Sequence, residues 1–262
     1  MKILTTNLNK GGVRKTTFSH NFAEWLALNG NRCLVLDTDD SRNLTLRYLE
    51  EPIAYENTIV SLYERHEVTP ITVKKNIDLI AGSKEVAYLK QRLITVRKRE
   101  LIFFKWIEKN YESLASRYDY IVIDTENDEG ILTENSLIVS DVVVGITDTS
   151  MDGYEALLEL RELVNDLNRD FDNEAEVLFI AGGISPGNHP KDQEKSTREL
   201  LEVLEPEKEY IGSFKRKTAM ATTETMFEQA KNSPRFASEH KEYISNLEKL
   251  FISVKEVLDN AE

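Results

Sequence analysis

Asn9-Lys10-Gly11-Gly12-Val13-Arg14-Lys15-Thr16-Thr17 concentrates two lysines, two glycines and two threonines in nine residues. It follows a short apolar run, Ile3-Leu4-Thr5, and leads into an amphipathic segment from Thr16 to Leu28. Strand, glycine-bearing loop and helix in that order aim backbone N–H groups and a helix N-terminus at one point, where an anion is stabilised. Lys15 adds a mobile positive charge for outer phosphates, and Thr16 stands where a phosphate-binding loop uses Ser or Thr to hold Mg²⁺. The chemistry on offer is capture of a polyphosphate.

Carboxylates suited to the metal side of that chemistry lie downstream. Asp37-Thr38-Asp39-Asp40 closes the apolar run that begins near Arg32, and Asp124 closes Tyr120-Ile121-Val122-Ile123. Acidic residues at strand ends beside a phosphate loop face the phosphates. An aspartate ending an apolar strand can hold a water on Mg²⁺.

The loop departs from G-x-x-x-x-G-K-[ST], because Asn9 and Arg14 occupy the two glycine positions. What it contains, K-G-G-x-x-K-[ST], resembles the deviant Walker A of the ParA/MinD family of ATPases. The resemblance extends to Asp37, Asp39 and Asn43 of that family's Asp-x-Asp-Pro-Gln-Gly-Asn, with Asp40, Ser41 and Arg42 replacing its middle. It implies ATP held by Lys10 through Thr17, with Lys10 reaching the phosphates of a second subunit. It further implies that Asp39 orients the attacking water and that Asp37 supports the Mg²⁺ shell with Thr16 and Asp124. Relatives mostly carry Gly at position 14. Arg14 narrows the loop's conformational choice but leaves its backbone donors in place.

The positioning elements follow from periodicity. Strand-length apolar runs at Lys2–Thr6, Arg32–Asp37, Ile77–Ala81, Tyr120–Asp124, Val142–Thr147, Val177–Ala181 and Tyr210–Ser213 alternate with helical patterns. Continuous runs such as Val142-Val143-Val144 suit strands covered on both faces. The expected fold is α/β, a single doubly wound and mostly parallel sheet flanked by helices, in one domain over residues 1–262. A less regular insertion with short helices is expected around 50–76. A long helix is expected over Met151–Phe171, and a last one over about Arg235–Leu258. In the last, Tyr243, Leu247, Leu250, Phe251, Val254 and Leu258 share one face and Glu residues the other.

A net charge of −13 confines any nucleic-acid contact to a local basic patch. There are two candidates. Lys84–Lys109 contains Arg97, Lys98 and Arg99, beside a stripe of Leu89, Leu93, Val96, Leu101, Phe104 and Ile107. It reads equally as a solvated helix face or as a phosphate-backbone site. Lys215, Arg216 and Lys217 form the other, against the plainer reading of a solvated turn. The single cysteine, Cys33, excludes a disulfide framework within one chain and reads as a core thiol. No signal peptide or 18-residue apolar window appears, so a cytoplasmic protein is expected.

By resemblance the chain is a small ParA-type ATPase for plasmid or chromosome partition, without an N-terminal helix-turn-helix. It would form a Mg-ATP-dependent homodimer, bind DNA nonspecifically on the nucleoid, and be reset by hydrolysis stimulated by a centromere-binding, ParB-like protein. A MinD-like positioning ATPase, a fold-related biosynthetic ligase such as dethiobiotin synthetase, and a nucleotide-gated protein with little turnover are the alternatives. The Glu-rich last helix differs from the basic lipid-seeking one of MinD relatives. The loop Ser185–Pro190, with Asn188, is placed near the adenine by fold position only.

Overall fold

The computed structural model describes residues 1–50, 52–184 and 191–261, the side chains of 191–194 excepted. Four strands and three helices build the part that precedes residue 81: β1 (Lys2–Asn7), α1 (Lys15–Leu28), β2 (Cys33–Asp37), α2 (Thr45–Tyr48), α3 (Ile59–Tyr63), β3 (Ile71–Lys74) and β4 (Ile77–Ile80). Next come α4 (Val86–Leu93), α5 (Ile102–Arg117), β5 (Tyr120–Asp124), α6 (Ile131–Ile138), β6 (Val142–Thr147), α7 (Met151–Phe171) and β7 (Glu176–Ile184). The chain finishes with α8 (Lys191–Leu204), β8 (Tyr210–Lys215), α9 (Met226–Asn232), α10 (Pro234–Glu239) and α11 (Lys241–Asn260).

The strands form one sheet in the order β3-β4-β2-β5-β1-β6-β7-β8, parallel except for β3 against β4. Alternate residues of each inner strand serve opposite faces, as period-two geometry requires. Leu4, Val35, Val122, Val144 and Ile180 join one core with α1 and α11, whereas Ile3, Leu34, Ile121 and Ile123 join another with α3, α4 and α5. A third, around Val143 and Phe179, is closed by α7 and α8. The first core is sealed by aromatic contacts: Phe251 of α11 meets Phe18 and Phe22 of α1 edge-on, each at 5.3 Å.

The expected α/β sheet is present, and three local expectations are corrected. Within 50–76, Ile71–Lys74 is an antiparallel edge strand, short and half-exposed, so it carries no continuous apolar run. The 84–109 stripe is not one helix. Lys98 takes a left-handed φ of 54° and a 3₁₀ turn follows at Arg99–Leu101, which resets the helical phase. Phe103 is consequently buried and Phe104 is 45% exposed, the reverse of the expected face. The last helix is divided at His240, whose ψ of 14° departs from helical geometry while its ring meets Phe236 edge-on. No helix among the described residues is long and apolar enough to cross a membrane.

β1 is central, and the chain turns to one side of it after α1 and to the other after β5. In such sheets the crevice lies beyond the carboxyl ends of the strands at that reversal. Asp37 and Asp124 are register partners there, next to Thr6 of β1.

Candidate functional site

The loop between β1 and α1 is built from alternating handedness. Gly12 and Arg14 both have left-handed φ, 77° and 74°. At Gly12 this costs little; at Arg14 it opposes an L-residue's preference by about 1–2 kcal/mol. The Arg14 guanidinium reaches the end of β7, donating to Gly182 O at 3.2 Å. A Cβ on Gly183 would stand 2.0 Å from its Nη1, so the arginine occupies the room that glycine leaves. Burial, and then Arg216, lower the Arg14 pKa.

Lys15 is folded back into the cradle. Its Nζ donates to Leu8 O at 2.8 Å and to Asn127 Oδ1 in the loop after β5. Burial lowers its pKa, against the opposing charges of Asp124 and Asp39. Thr16 and Thr17 open α1 on diverging sides. Thr16 lies on the Asp124 side and helps keep that carboxyl ionised, and Thr17 accepts from Arg47 Nη2 at 3.1 Å.

Both strand-end aspartates are fully buried. Asp37 accepts from Thr45 N and Oγ1 at 2.8 and 2.7 Å on one oxygen, and from Asp39 N at 3.1 Å on the other. Burial, then the charge of Asp124, push its carboxyl up to about 7. Gly82 permits this packing, since a Cβ there would sit 2.9 Å from Asp37 Cγ. Asp124 Oδ1 accepts from Thr6 and Ser19 at 3.1 and 3.0 Å, while Oδ2 is buried without a hydrogen-bond partner among the described residues. Burial raises the Asp124 pKa, opposed by Thr16, Ser19 and Lys15. A carboxylate oxygen without a hydrogen-bond donor, near a threonine hydroxyl, has the oxygen-ligand chemistry of a hard divalent cation site.

Asp39 is 8% exposed and holds Ser41 N at 2.7 Å. It lines a cleft of about 480 Å³ with Gly12 through Thr17, Asn43, Arg47 and Asn127. Lys10 stands outside that cleft, ion-paired to Asp148 at 3.1 Å and hydrogen-bonded to Ser150 at the start of α7. In the single chain its charge is therefore held by its own subunit.

The two basic patches adjoin different cores. Val96, beside Arg97, packs on the core of α3, α4 and α5, whereas Phe214, beside Lys215, packs on the core of α1 and α11. Arg97 and Lys98 are exposed, but Arg99 is engaged with Ile94 O and Glu100. Lys215 and Arg216 are exposed at the end of β8, and Lys217 lies over the Tyr243 ring at 5.7 Å. Lys90, from the same basic segment as Arg97, is spent on Glu126 and on Asp128 at 2.7 Å, bracing the loop after β5. The loop with Asn188 lies outside the described residues.

Sequence reading missed Asn127, Asp148, Ser150 and Arg47. Asn127 could have been found from its place three residues after Asp124. The others carry no local signal, because their partners are remote in sequence.

A family model described as an AAA domain matches residues 1–175. The sporulation initiation inhibitor protein Soj of Bacillus subtilis is 31% identical over 168 residues, which is 63% of this chain and 64% of Soj. The chain thus spans slightly less than two thirds of that relative. Among solved structures, a plasmid partition protein of Borrelia burgdorferi superposes with a TM-score of 0.74 at 22% identity, covering 97% of this chain and 98% of that one. McdA of Cyanothece in an ATP complex gives 0.80 at 19%, covering 99% and 96%. These structural likenesses bear on fold, whereas the family match rests on the part of the chain that carries the loop and both strand-end aspartates. The chain belongs to the AAA domain family of ParA/MinD type, whose deviant Walker A its loop resembles.

Proposed function

We propose that this protein is a partition ATPase that couples ATP binding to self-association and DNA binding, and hydrolysis to release. The observation that carries the reading is the convergence of Lys15, Thr16 and Asp39 on one cleft at the strand ends, with the Asp124 carboxylate buried at the end of β5. The reaction is transfer of the γ-phosphoryl group to water, giving ADP, phosphate and a proton. Gly11 through Thr17 supply backbone donors to the phosphates, and Lys15 leaves Leu8 and Asn127 to meet them. Thr16 and Asp124 would hold Mg²⁺, with Asp37 supporting them from behind through its own filled hydrogen bonds; the ion supplies neutralisation of phosphate charge. Asp39 positions the water by accepting its hydrogen bond. Catalysis of this kind is positioning and electrostatics without a covalent intermediate.

Lys10 completes the site of a second subunit after exchanging Asp148 and Ser150 for phosphate. DNA contact falls to Lys215, Arg216 and Lys217, or to Arg97, Lys98 and Arg99. A centromere-binding, ParB-like protein stimulates turnover, and the assembly works on the nucleoid in the cytoplasm. The acidic outer face of α11 favours this over a membrane-positioning role.

Light scattering with and without Mg-ATP tests the reading. The wild type should shift to a dimer and Lys15→Ala should not; equal dimerisation by both would refute nucleotide control. Charge reversal of 215–217 against 97–99 should then lower salt-dependent DNA affinity in one set. No change in either removes DNA from the proposal.

A further inference from the structure

Arg47 is a cation that the sequence motifs do not account for. It projects from α2 into the cleft beside the phosphate loop, half-buried. Its guanidinium donates to three acceptors: Thr17 Oγ1 at 3.1 Å, His20 Nδ1 at 3.2 Å and Met220 O at 3.3 Å. None of these is negatively charged. His20 is fully buried, and burial, followed by the charges of Arg47 and Lys74, pushes its pKa down to about 2, so the imidazole is neutral. The nearby Glu24 is taken by Lys74 at 2.8 Å. Among the described residues no carboxylate lies within ion-pair distance of Arg47. Burial lowers its pKa, with Asp124 the main opposing charge.

A guanidinium partly withdrawn from water, with only neutral acceptors, has lost hydration without gaining a counter-charge. Its three contacts fix the plane of the group through Nη1 and Nη2, and Nε remains uncommitted among the described residues. Arginine in a fixed orientation is suited to phosphate, whose oxygens it can meet through two parallel donors. The geometry also selects which phosphate. Thr16 lies on the side of Asp124, whose ionisation it favours, and that is the side on which metal and terminal phosphate belong. Thr17 is one residue further along α1, rotated by about 100° in a 3.6-residue turn, and faces Arg47 instead.

We propose that Arg47 is a nucleotide-binding residue acting within its own subunit, its guanidinium meeting the inner, α-phosphate end of the polyphosphate beside Thr17. This rests on the reading of the cleft as a nucleotide site. Because ATP and ADP share the α-phosphate, the contact adds affinity for both alike and does not discriminate between them.

Titration calorimetry of the full chain with Mg-ATP and with Mg-ADP tests this, using the wild type, Lys15→Ala, Arg47→Ala, Arg47→Gln and Arg47→Lys. Loss of a charged hydrogen-bond donor should weaken both nucleotides by the same factor, about ten- to a hundredfold. Arg47→Gln, which keeps donors but no charge, should lose nearly as much as Arg47→Ala, and Arg47→Lys should recover part. Thermal denaturation without nucleotide reports the separate bracing of Thr17, His20 and Met220. A purely structural role would lower that melting temperature and leave the affinity of folded Arg47→Gln at the wild-type value. That result overturns the proposal while the nucleotide reading stands, provided Lys15→Ala still loses binding. A loss confined to ATP overturns the α-phosphate placement. A wild type that binds neither nucleotide overturns both.

Discussion

Glu24 offers a stability test whose sign and size can be worked from the structure. It lies on α1, 2% exposed, with Lys74 Nζ at 2.8 Å and His20 Nε2 at 3.9 Å. Glu228 shares the same ammonium at 2.7 Å, and the buried Tyr48 hydroxyl stands alongside. Lys74 is drawn toward its charged form by two carboxylates and keeps some solvent contact; Glu24 is enclosed, and burial outweighs the help it gets from Lys74. Its carboxyl is pushed from an ordinary 4.5 up to about 7. A carboxyl with a raised folded-state pKa binds its proton more tightly when folded. The stability this gives is fully present below pH 4.5 and is lost as pH rises through about 7. The difference of about 2.5 pKa units corresponds to about 3 kcal/mol. Glu24→Gln removes that titration. The stability of the variant relative to wild type should therefore climb by up to about 3 kcal/mol between pH 4.5 and pH 8, or roughly 6–10 °C in melting temperature for a chain of this size. A fixed cost of the amide cancels in that comparison, because it is the same at both ends of the titration. Denaturant unfolding at several pH values without nucleotide or divalent ions gives the curve. A relative stability that stays flat, or falls as pH rises, would refute the claim that Glu24 is held against its charge.

Lys10→Ala separates parking from function. The Lys10–Asp148 pair is only partly shielded, with side chains 24% and 37% exposed, so its loss should cost the free chain about 1 kcal/mol or less while abolishing Mg-ATP-dependent dimerisation in light scattering; a retained dimer would end the case for Lys10 acting across subunits. Gly183→Ala should be costly for two reasons, a φ of 71° and a Cβ 2.0–2.2 Å from the Arg14 guanidinium, and only the second disappears in an Arg14→Gly background. A double-mutant cycle by thermal denaturation should thus show coupling of about 1 kcal/mol or more, and strict additivity would show that Arg14 moves aside freely.

Much of the site could be read before any fold was known. Lys10 through Thr17 form a contiguous motif whose geometry is local, and Asp37 and Asp124 each close a run of residues buried on both faces, a pattern that survives in one dimension. The edge strand at 71–74 was not legible, because a short half-exposed strand owes its pairing to β4 rather than to an apolar run of its own. The break at Lys98 was hidden for a related reason: hydrophobic spacing continued across it while the backbone changed hand, and Phe103 rather than Phe104 reached the core.

Only the tertiary structure could decide which charges are spent and which are left open. Arg47 meets Thr17 from 30 residues away, and Lys10 meets Asp148 from 138. Lys90 is consumed by the loop after β5, although its sequence neighbourhood reads as a uniform basic surface. Separate crossovers of one sheet create these pairings, and neither composition nor periodicity records how far two strand ends lie apart. A local motif needs only the short-range geometry of its own backbone, whereas a lone charge acquires its role from whatever the fold sets against it.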